Sequence, residues 1–378
     1  MTKIKVAHIL HSVGGVDVSL RLILKNSSDN FEHIVIHGKK DTSVDFLDNR
    51  NNKIESHKIS VYRDISLFDD FKALFQTYKL LKKIKPDIIH AHSSKGGLIA
   101  RALGRILNIQ TLYTPQAFSF LSTQNKWKRQ LYITIEKALN YKKSYILASS
   151  NSEKSRAINE VGYKEHKVLV FNNCINVVKE IEPFSIEKTW PDNYICTVGR
   201  PSYQKNIELM IQVFLELRKT QEMHLVVMGV GHHVGQLESV KSLIKKHGLQ
   251  NEVSLLDWTS RDDVFNIIKG SKLYLSTARY EGLPYSVIEA LALSKPCVVS
   301  DCDGNKDLIE NDYNGYVINN NCVTNYVEKI NKLLNDADLL KEFSENALIS
   351  FNQNYDIKKN IFNLEKIYIE YSIKQGVF

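Results

Sequence analysis

Glu281 and Glu289 stand eight residues apart in the run Ala278-Arg279-Tyr280-Glu281-Gly282-Leu283-Pro284-Tyr285-Ser286-Val287-Ile288-Glu289-Ala290. The apolar Lys272–Ser276 before them reads as a buried strand, Gly282 and Pro284 as a turn, and Ser286–Leu293 as a helix that tolerates Pro284 in its first turn. Glu281 therefore hangs from a turn and Glu289 from a helix. A strand passing through a glycine turn into a helix aims backbone N–H groups and the positive end of the helix dipole at one point, which suits a phosphate. Carboxylates beside that point accept hydrogen bonds from sugar hydroxyls. A capping glutamate and a solvated one account for the spacing equally well.

Other strand ends carry comparable chemistry. After the first apolar run comes His11-Ser12-Val13-Gly14-Gly15-Val16-Asp17. Gly14 and Gly15, opening a helix before Val16, let a phosphate or sugar approach the backbone, although an ordinary tight turn needs the same residues. A dinucleotide fingerprint requires Gly-x-Gly-x-x-Gly, which is absent here. After the fourth run comes His90-Ala91-His92-Ser93-Ser94-Lys95. Histidines at alternate strand positions point the same way, but a metal needs a third ligand and the sequence shows none. The preferred reading is polar pocket lining, with His92 in the wall and Ser93, Ser94 and Lys95 available to a sugar or phosphate. Gly229 and Gly231, in Met228-Gly229-Val230-Gly231-His232, allow backbone approach near a ribose or phosphates. Trp258, in Leu256–Arg261, either flanks a base or belongs to the core.

Strands and helices alternate along the whole chain. Apolar runs at Lys3–Leu10, Glu32–Ile36, Ile54–Ile59, Asp87–Ala91, Gln110–Tyr113, Tyr145–Ala148 and Lys167–Phe171 are separated by helix-length amphipathic segments such as Phe68–Ile84. The pattern restarts at Tyr194–Val198, Met223–Met228, Val253–Leu256, Leu273–Ser276, Pro296–Ser300 and Gly315–Ile318. Both halves predict parallel sheets with helices on both faces. Asn176–Asn193, with Pro183, Pro191 and mixed charge, has linker composition. The chain is helical after Cys322, and Tyr355–Lys374 is its last long amphipathic segment.

Taken together, these residues resemble the retaining glycosyltransferases of family 4. The resemblance rests on Glu-x7-Glu with Gly-Leu-Pro after the first Glu, and on Gly14-Gly15-Val16-Asp17, where the family has Glu in the last place. It rests further on His-x-His-Ser-Ser-Lys, similar to members that build bacterial capsule, exopolysaccharide and O-antigen, and on Gly199-Arg200 followed by Lys205. It covers nearly the whole chain and is densest from Gly199 to Gly315. It implies an α/β fold of the GT-B type, two doubly wound Rossmann-like domains facing a central cleft. The implied divisions are an acceptor-side domain over 1–178, a nucleotide-sugar domain over 179–351, and a C-terminal helix over 352–378 that crosses back onto the first domain.

The resemblance also assigns roles. Arg200 and Lys205 would stabilise the charge developing on a leaving nucleoside diphosphate, a task such a cation pair can perform in place of a metal. No Asp-x-Asp clamp occurs at an equivalent strand end, so neither metal nor other cofactor is expected beyond a UDP-sugar donor. Glu289 would bind the ribose and Glu281 the donor-sugar hydroxyls, with Gly282 and Leu283 beside them; Glu281 as a covalent nucleophile is the alternative. Related enzymes often read Thr-Pro-His-Gly where this chain has Thr114-Pro115-Gln116-Ala117. Gln116 keeps a hydrogen bond to a donor sugar but carries no proton or charge. The expected activity is retaining, metal-independent transfer of a hexose or N-acetylhexosamine from a UDP-sugar to a lipid-linked surface glycan. The alternatives are a sugar-nucleotide epimerase of GT-B architecture and a non-catalytic nucleotide-sugar-binding protein.

Composition sets the surroundings. At 378 residues, 43% of them hydrophobic, the chain is long enough for two cores. No run of eighteen apolar residues occurs, and Met1–Leu10 is too short and too interrupted for a signal peptide, so a cytoplasmic protein is expected. The five cysteines contain no Cys-x2-Cys pair and read as reduced core thiols. A net charge of +8 favours anionic partners. No nucleic-acid-binding pattern accompanies it. Basic residues interleave with Trp127, Leu131 and Tyr132 over Asn125–Lys143, and Tyr78–Lys85 is similar, which suits an anionic membrane at the inner face of the cytoplasmic membrane or two ordinary solvated helices.

Overall fold

The computed structural model describes residues 3–11, 13–62, 66–231 and 236–372. Ser12, His232 and Lys374 lie outside the described residues. The chain divides into two compact units, Met1–Asn176 with Ile357–Phe378, and Val177–Asp356.

The first unit is built on seven parallel strands: β1 (Ile4–Ile9), β2 (Phe31–Gly38), β3 (Ser56–Ile59), β4 (Ile88–His92), β5 (Gln110–Thr114), β6 (Ser144–Ala148) and β7 (Val168–Val170). Their order is β3-β2-β1-β4-β5-β6-β7. The second unit has six parallel strands: β8 (Tyr194–Val198), β9 (His224–Met228), β10 (Val253–Leu256), β11 (Tyr274–Ser276), β12 (Cys297–Ser300) and β13 (Gly315–Ile318), in the order β10-β9-β8-β11-β12-β13. All thirteen expected strands are present, with ends displaced by at most about two residues. They were legible because strands covered on both faces read as continuous apolar runs; every residue of β4 and of β9 is buried.

Helices α1 (Gly15–Asn26), α2 (Leu67–Ile84), α3 (Ser93–Leu107), α4 (Lys126–Ala138) and α5 (Asn151–Arg156) connect the first sheet. The second is connected by α6 (Ile207–Leu217), α7 (Leu237–Lys246), α8 (Arg261–Gly270), α9 (Tyr285–Ala292) and α10 (Asn305–Leu308), and is followed by α11 (Val323–Leu334) and α12 (Ala337–Asn354). The last helix, α13 (Ile357–Ser372), belongs to the first unit. Alternation along each strand sorts side chains onto the two faces of the first sheet. Ala7, Ile9, Ile89 and Ala91 face α2, α3 and α4 through Ala73, Ile99 and Ile133. Val6 and Ile88 face the other way, against Ile357, Leu364 and Tyr368 of α13.

Asn176–Asn193 has no helix or strand, and from Val177 onward it belongs to the second unit. Its Trp190 is buried. The backbone N–H and hydroxyl of Ser185 donate to Asp263 at 2.7 and 2.5 Å, and the hydroxyls of Thr259 and Ser260 donate to the same carboxylate. Burial alone would raise the Asp263 pKa; these hydrogen bonds hold it well below the ordinary carboxylate range.

Candidate active site

The second unit brings Lys205, Glu281 and Glu289 together. Glu281 lies in the turn between β11 and α9, and Glu289 one turn into α9. The Lys205 ammonium is 2.8 Å from Glu281 Oε1, and Gln204 Nε2 donates to Oε2 at 3.1 Å. Burial by itself would pull the Lys205 pKa down; Glu281, joined by Tyr274 and Cys302, offsets this and holds it raised. Glu289 pairs with Arg261 at 2.6 Å, and its pKa is raised by burial, against the opposing fields of Arg261 and Lys205. Lys205 thus sits within electrostatic reach of both glutamates.

Backbone geometry explains how these side chains are held. A Cβ on Gly199 would lie 3.0 Å from the Lys205 side chain, so glycine lets that stem cross the end of β8. The turn carrying Glu281 is tied to the loop before α6, where Arg279 N donates to Gln204 O at 2.8 Å and its guanidinium to Tyr203 O at 2.6 Å. On its other side the Gly282 carbonyl presses on Gly304, where a Cβ would come within 2.6 Å and where φ is 79°. Leu283 is buried behind the turn. Arg200 is exposed at the C-terminal end of β8. Trp258 is 72% exposed, which removes the core reading for it. Its ring lies against Gly229 and Gly231, close enough that a Cβ on Gly231 would meet Nε1 at 2.9 Å.

In the first unit, Gly14 adopts φ 56° and caps α1, Gly15 and Val16 begin that helix, and Asp17 pairs with Arg21. Ser93 opens α3 with φ 59°, Ser94 follows, and Lys95 pairs with Asp70 at 3.0 Å. His92 departs from its expected role as pocket lining. Its ring is fully buried and bonds to His8 of β1 at 3.1 Å, because β1 and β4 pair with their even-numbered side chains on one face. His8 is the third imidazole that the sequence did not show beside His90 and His92. Gln116 and Ala117 take successive positive φ values of 53° and 76°. Glu153 holds that loop by accepting the Ala117 N–H at 2.8 Å, while Gln116 Nε2 has no hydrogen-bond partner among the described residues.

The comparisons with known proteins bear on the family and the fold. The family profile "Glycosyltransferase Family 4" matches residues 13–179, and "Glycosyl transferases group 1" matches residues 178–349. The chain belongs to the family 4 glycosyltransferases. It is 26% identical to an Escherichia coli UDP-Gal:alpha-D-GlcNAc-diphosphoundecaprenol alpha-1,3-galactosyltransferase, over 98% of this chain and 97% of that one. It is 28% identical to the Staphylococcus aureus capsular polysaccharide biosynthesis glycosyltransferase CapM, over 77% and 79%. Among solved structures, sucrose-phosphate synthase from Thermosynechococcus elongatus superposes with a TM-score of 0.82 at 13% identity, covering 97% of this chain and 99% of that one. Anabaena Alr3699/HepE in complex with UDP and glucose gives 0.76 at 17% identity, covering 97% and 100%. The fold is therefore GT-B.

Two polar residues of this glycosyltransferase escaped the sequence reading. Arg261 caps the approach to Glu289 from the first turn of α8, and Gln204 supports Glu281. Arg261 follows Ser260, whose hydroxyl accepts from Asp263 N, so the local signal is that of a helix start and nothing in it points to Glu289, 28 residues later.

Proposed function

We propose that this glycosyltransferase moves a hexose or N-acetylhexosamine from a UDP-sugar to a lipid-linked surface-glycan acceptor with retention of configuration. The observation that carries the reading is the Lys205–Glu281 ion pair, whose charge reaches Glu289, at the carboxyl ends of the second sheet. In this reading Glu289 takes the ribose hydroxyls, exchanging or sharing its bond with Arg261, and Trp258 flanks the base. Glu281 and the backbone of Gly282 and Leu283 hold the donor sugar. Arg200 and Lys205 stabilise the departing diphosphate without calling on a metal. In the first unit Gln116 Nε2, without a hydrogen-bond partner among the described residues, is available to a sugar hydroxyl. Glu281 already accepts from both Lys205 and Gln204, which blunts it as a nucleophile. That favours attack by the acceptor hydroxyl on the face the diphosphate leaves, the leaving oxygen taking the hydroxyl proton. The E. coli and S. aureus relatives support a polysaccharide product and, for the former, a diphosphoundecaprenol-linked acceptor.

The first unit also supports peripheral residence on an anionic membrane. Among the described residues no helix is long and apolar enough to cross one. Helices α2, α3 and α4 cover one sheet face and carry eleven lysines and arginines against three carboxylates. That excess equals the net charge of the whole chain, +8. On α2 the exposed Phe68, Phe71 and Phe75 form a stripe that continues into Lys79 and Lys82, and on α4 Trp127 is 86% exposed. Aromatic rings beside snorkelling lysines suit the headgroup layer.

Incubation with a panel of UDP- and GDP-sugars and a synthetic N-acetylhexosamine-diphospho-lipid tests the activity. The expected result is UDP release coupled to an α-linked disaccharide identified by NMR. An inverted linkage refutes retention. Epimerised donor without acceptor, or nucleotide binding without turnover, refutes transfer.

A further inference from the structure

The face of the first sheet opposite the basic helices holds four imidazoles. His8 comes from β1, His33 from β2, and His90 and His92 from β4; His8 and His90 are register partners. His8, His90 and His92 are completely enclosed under α13. Their ring nitrogens form two short chains. His8 bonds through Nδ1 to His92 Nε2 at 3.1 Å and through Nε2 to His33 Nδ1 at 2.9 Å. His90 bonds through Nδ1 to the Tyr368 hydroxyl of α13 at 2.7 Å and through Nε2 to Thr114 at 2.9 Å.

Hydrogen bonding alone leaves this cluster incomplete. A neutral imidazole has one N–H and one lone pair. Whichever way the protons run along His33–His8–His92, one end keeps a buried N–H and the other a buried lone pair, and His33 Nε2 and His92 Nδ1 indeed have no hydrogen-bond partner among the described residues. Three of these imidazoles also stand close enough together to share a transition ion. One nitrogen from each of His8, His90 and His92 lies within 4.8 Å of the others. Ligands about 2.0–2.1 Å from a tetrahedral zinc are separated by roughly 3.3 Å. The His8–His92 contact of 3.1 Å and the His90–Tyr368 contact of 2.7 Å are already near such edges. Three imidazoles select zinc and its neighbours over magnesium, calcium or manganese, which prefer oxygen. The phenol of Tyr368 is the group able to contribute a negative charge as fourth ligand.

We propose that His8, His90 and His92, with Tyr368 completing the set, bind a structural zinc ion that fastens α13 to the first sheet directly beneath the β4–α3 turn. The ion enters during folding, before α13 covers the histidines, and imidazole ligation ties segments 82 and 276 residues apart in sequence, measured from His8 to His90 and from His92 to Tyr368. Its role is distinct from the chemistry assigned to Lys205, Glu281 and Glu289, which belong to the other unit.

The test uses tag-free full-length protein, refolded with zinc or with cobalt and desalted. Elemental analysis is expected to find one zinc per chain, and the cobalt form to show the intense visible absorption of a tetrahedral site. Tyr368→Phe, which keeps the packing, should retain a nitrogen-ligated ion with a shifted cobalt spectrum. His92→Asn should lose the ion and unfold at lower temperature, with zinc no longer raising its Tm. Folded parent protein with less than about 0.1 equivalent of zinc after refolding, and a Tm indifferent to zinc, overturns the proposal. So does full zinc retention in a folded His8→Gln/His92→Asn double variant, which would place the ion elsewhere. None of these readouts depends on a donor or acceptor, so the outcome is separate from that of the proposed transfer activity.

Discussion

Replacing Lys205 with methionine removes a charge while leaving a similar stem across Gly199, and its two consequences are separable. The first is structural. Glu281 is 7% exposed and would lose its ion pair, retaining the Gln204 contact at 3.1 Å. Removing one member of a fully buried pair costs about 3–5 kcal/mol. Here the Lys205 side chain is 23% exposed, so water reaches the stranded carboxylate and about 1–3 kcal/mol is expected. Adding Glu281→Gln removes the stranded charge, so Lys205→Met/Glu281→Gln should recover most of that loss. The second consequence is catalytic. A fixed donor to developing charge contributes about 2.7–4 kcal/mol to the transition state, or a factor of about 10²–10³ in kcat, and neutralising Glu281 supplies nothing in its place. Urea unfolding measures the first effect, and UDP release at saturating donor and acceptor the second. Recovery of turnover together with stability in the double variant would refute the catalytic role, as would a Lys205→Met kcat within about threefold of the parent.

Three further expectations rest on other parts of the chain. Arg101 and Glu136 form a fully buried pair at 2.8 Å with the Arg101 guanidinium stacked on Tyr113, so Glu136→Ala should cost about 3–5 kcal/mol in chemical denaturation, and Arg101→Met/Glu136→Met should cost far less. Burial pushes the Cys196 and Cys302 thiols up to about 12, and Cys174 and Cys297 are equally enclosed, so Ellman's reagent at pH 8 should modify one thiol per native chain rapidly, Cys322, and all five after unfolding. Phe68, Phe71 and Phe75 have little to lose in the folded protein, so changing all three to serine should move Tm by less than about 2 °C while lowering sedimentation with anionic vesicles about tenfold or more; unchanged sedimentation would remove α2 from the membrane contact.

The sequence by itself determined the thirteen strands, their grouping into two halves, and the pairing of Glu281 with Glu289 across a glycine turn. Each of these is written in local patterns, apolar runs and turn residues, whose meaning does not depend on distant segments. The exposure of Trp258 against Gly229 and Gly231 and the attachment of Asn176–Asn193 through Asp263 were decided only by tertiary structure. So was the Arg261–Glu289 pair, whose members begin one helix and lie within the next. The histidine cluster shows the reason most clearly. Two of its members, His90 and His92, advertise a shared strand face, but a third imidazole and a phenol reach them only because β1 pairs beside β4 with His8 opposite His90 and because α13 returns to cover that face. Strand register and helix docking are set by the burial of whole apolar faces, a collective quantity that no short stretch of sequence contains.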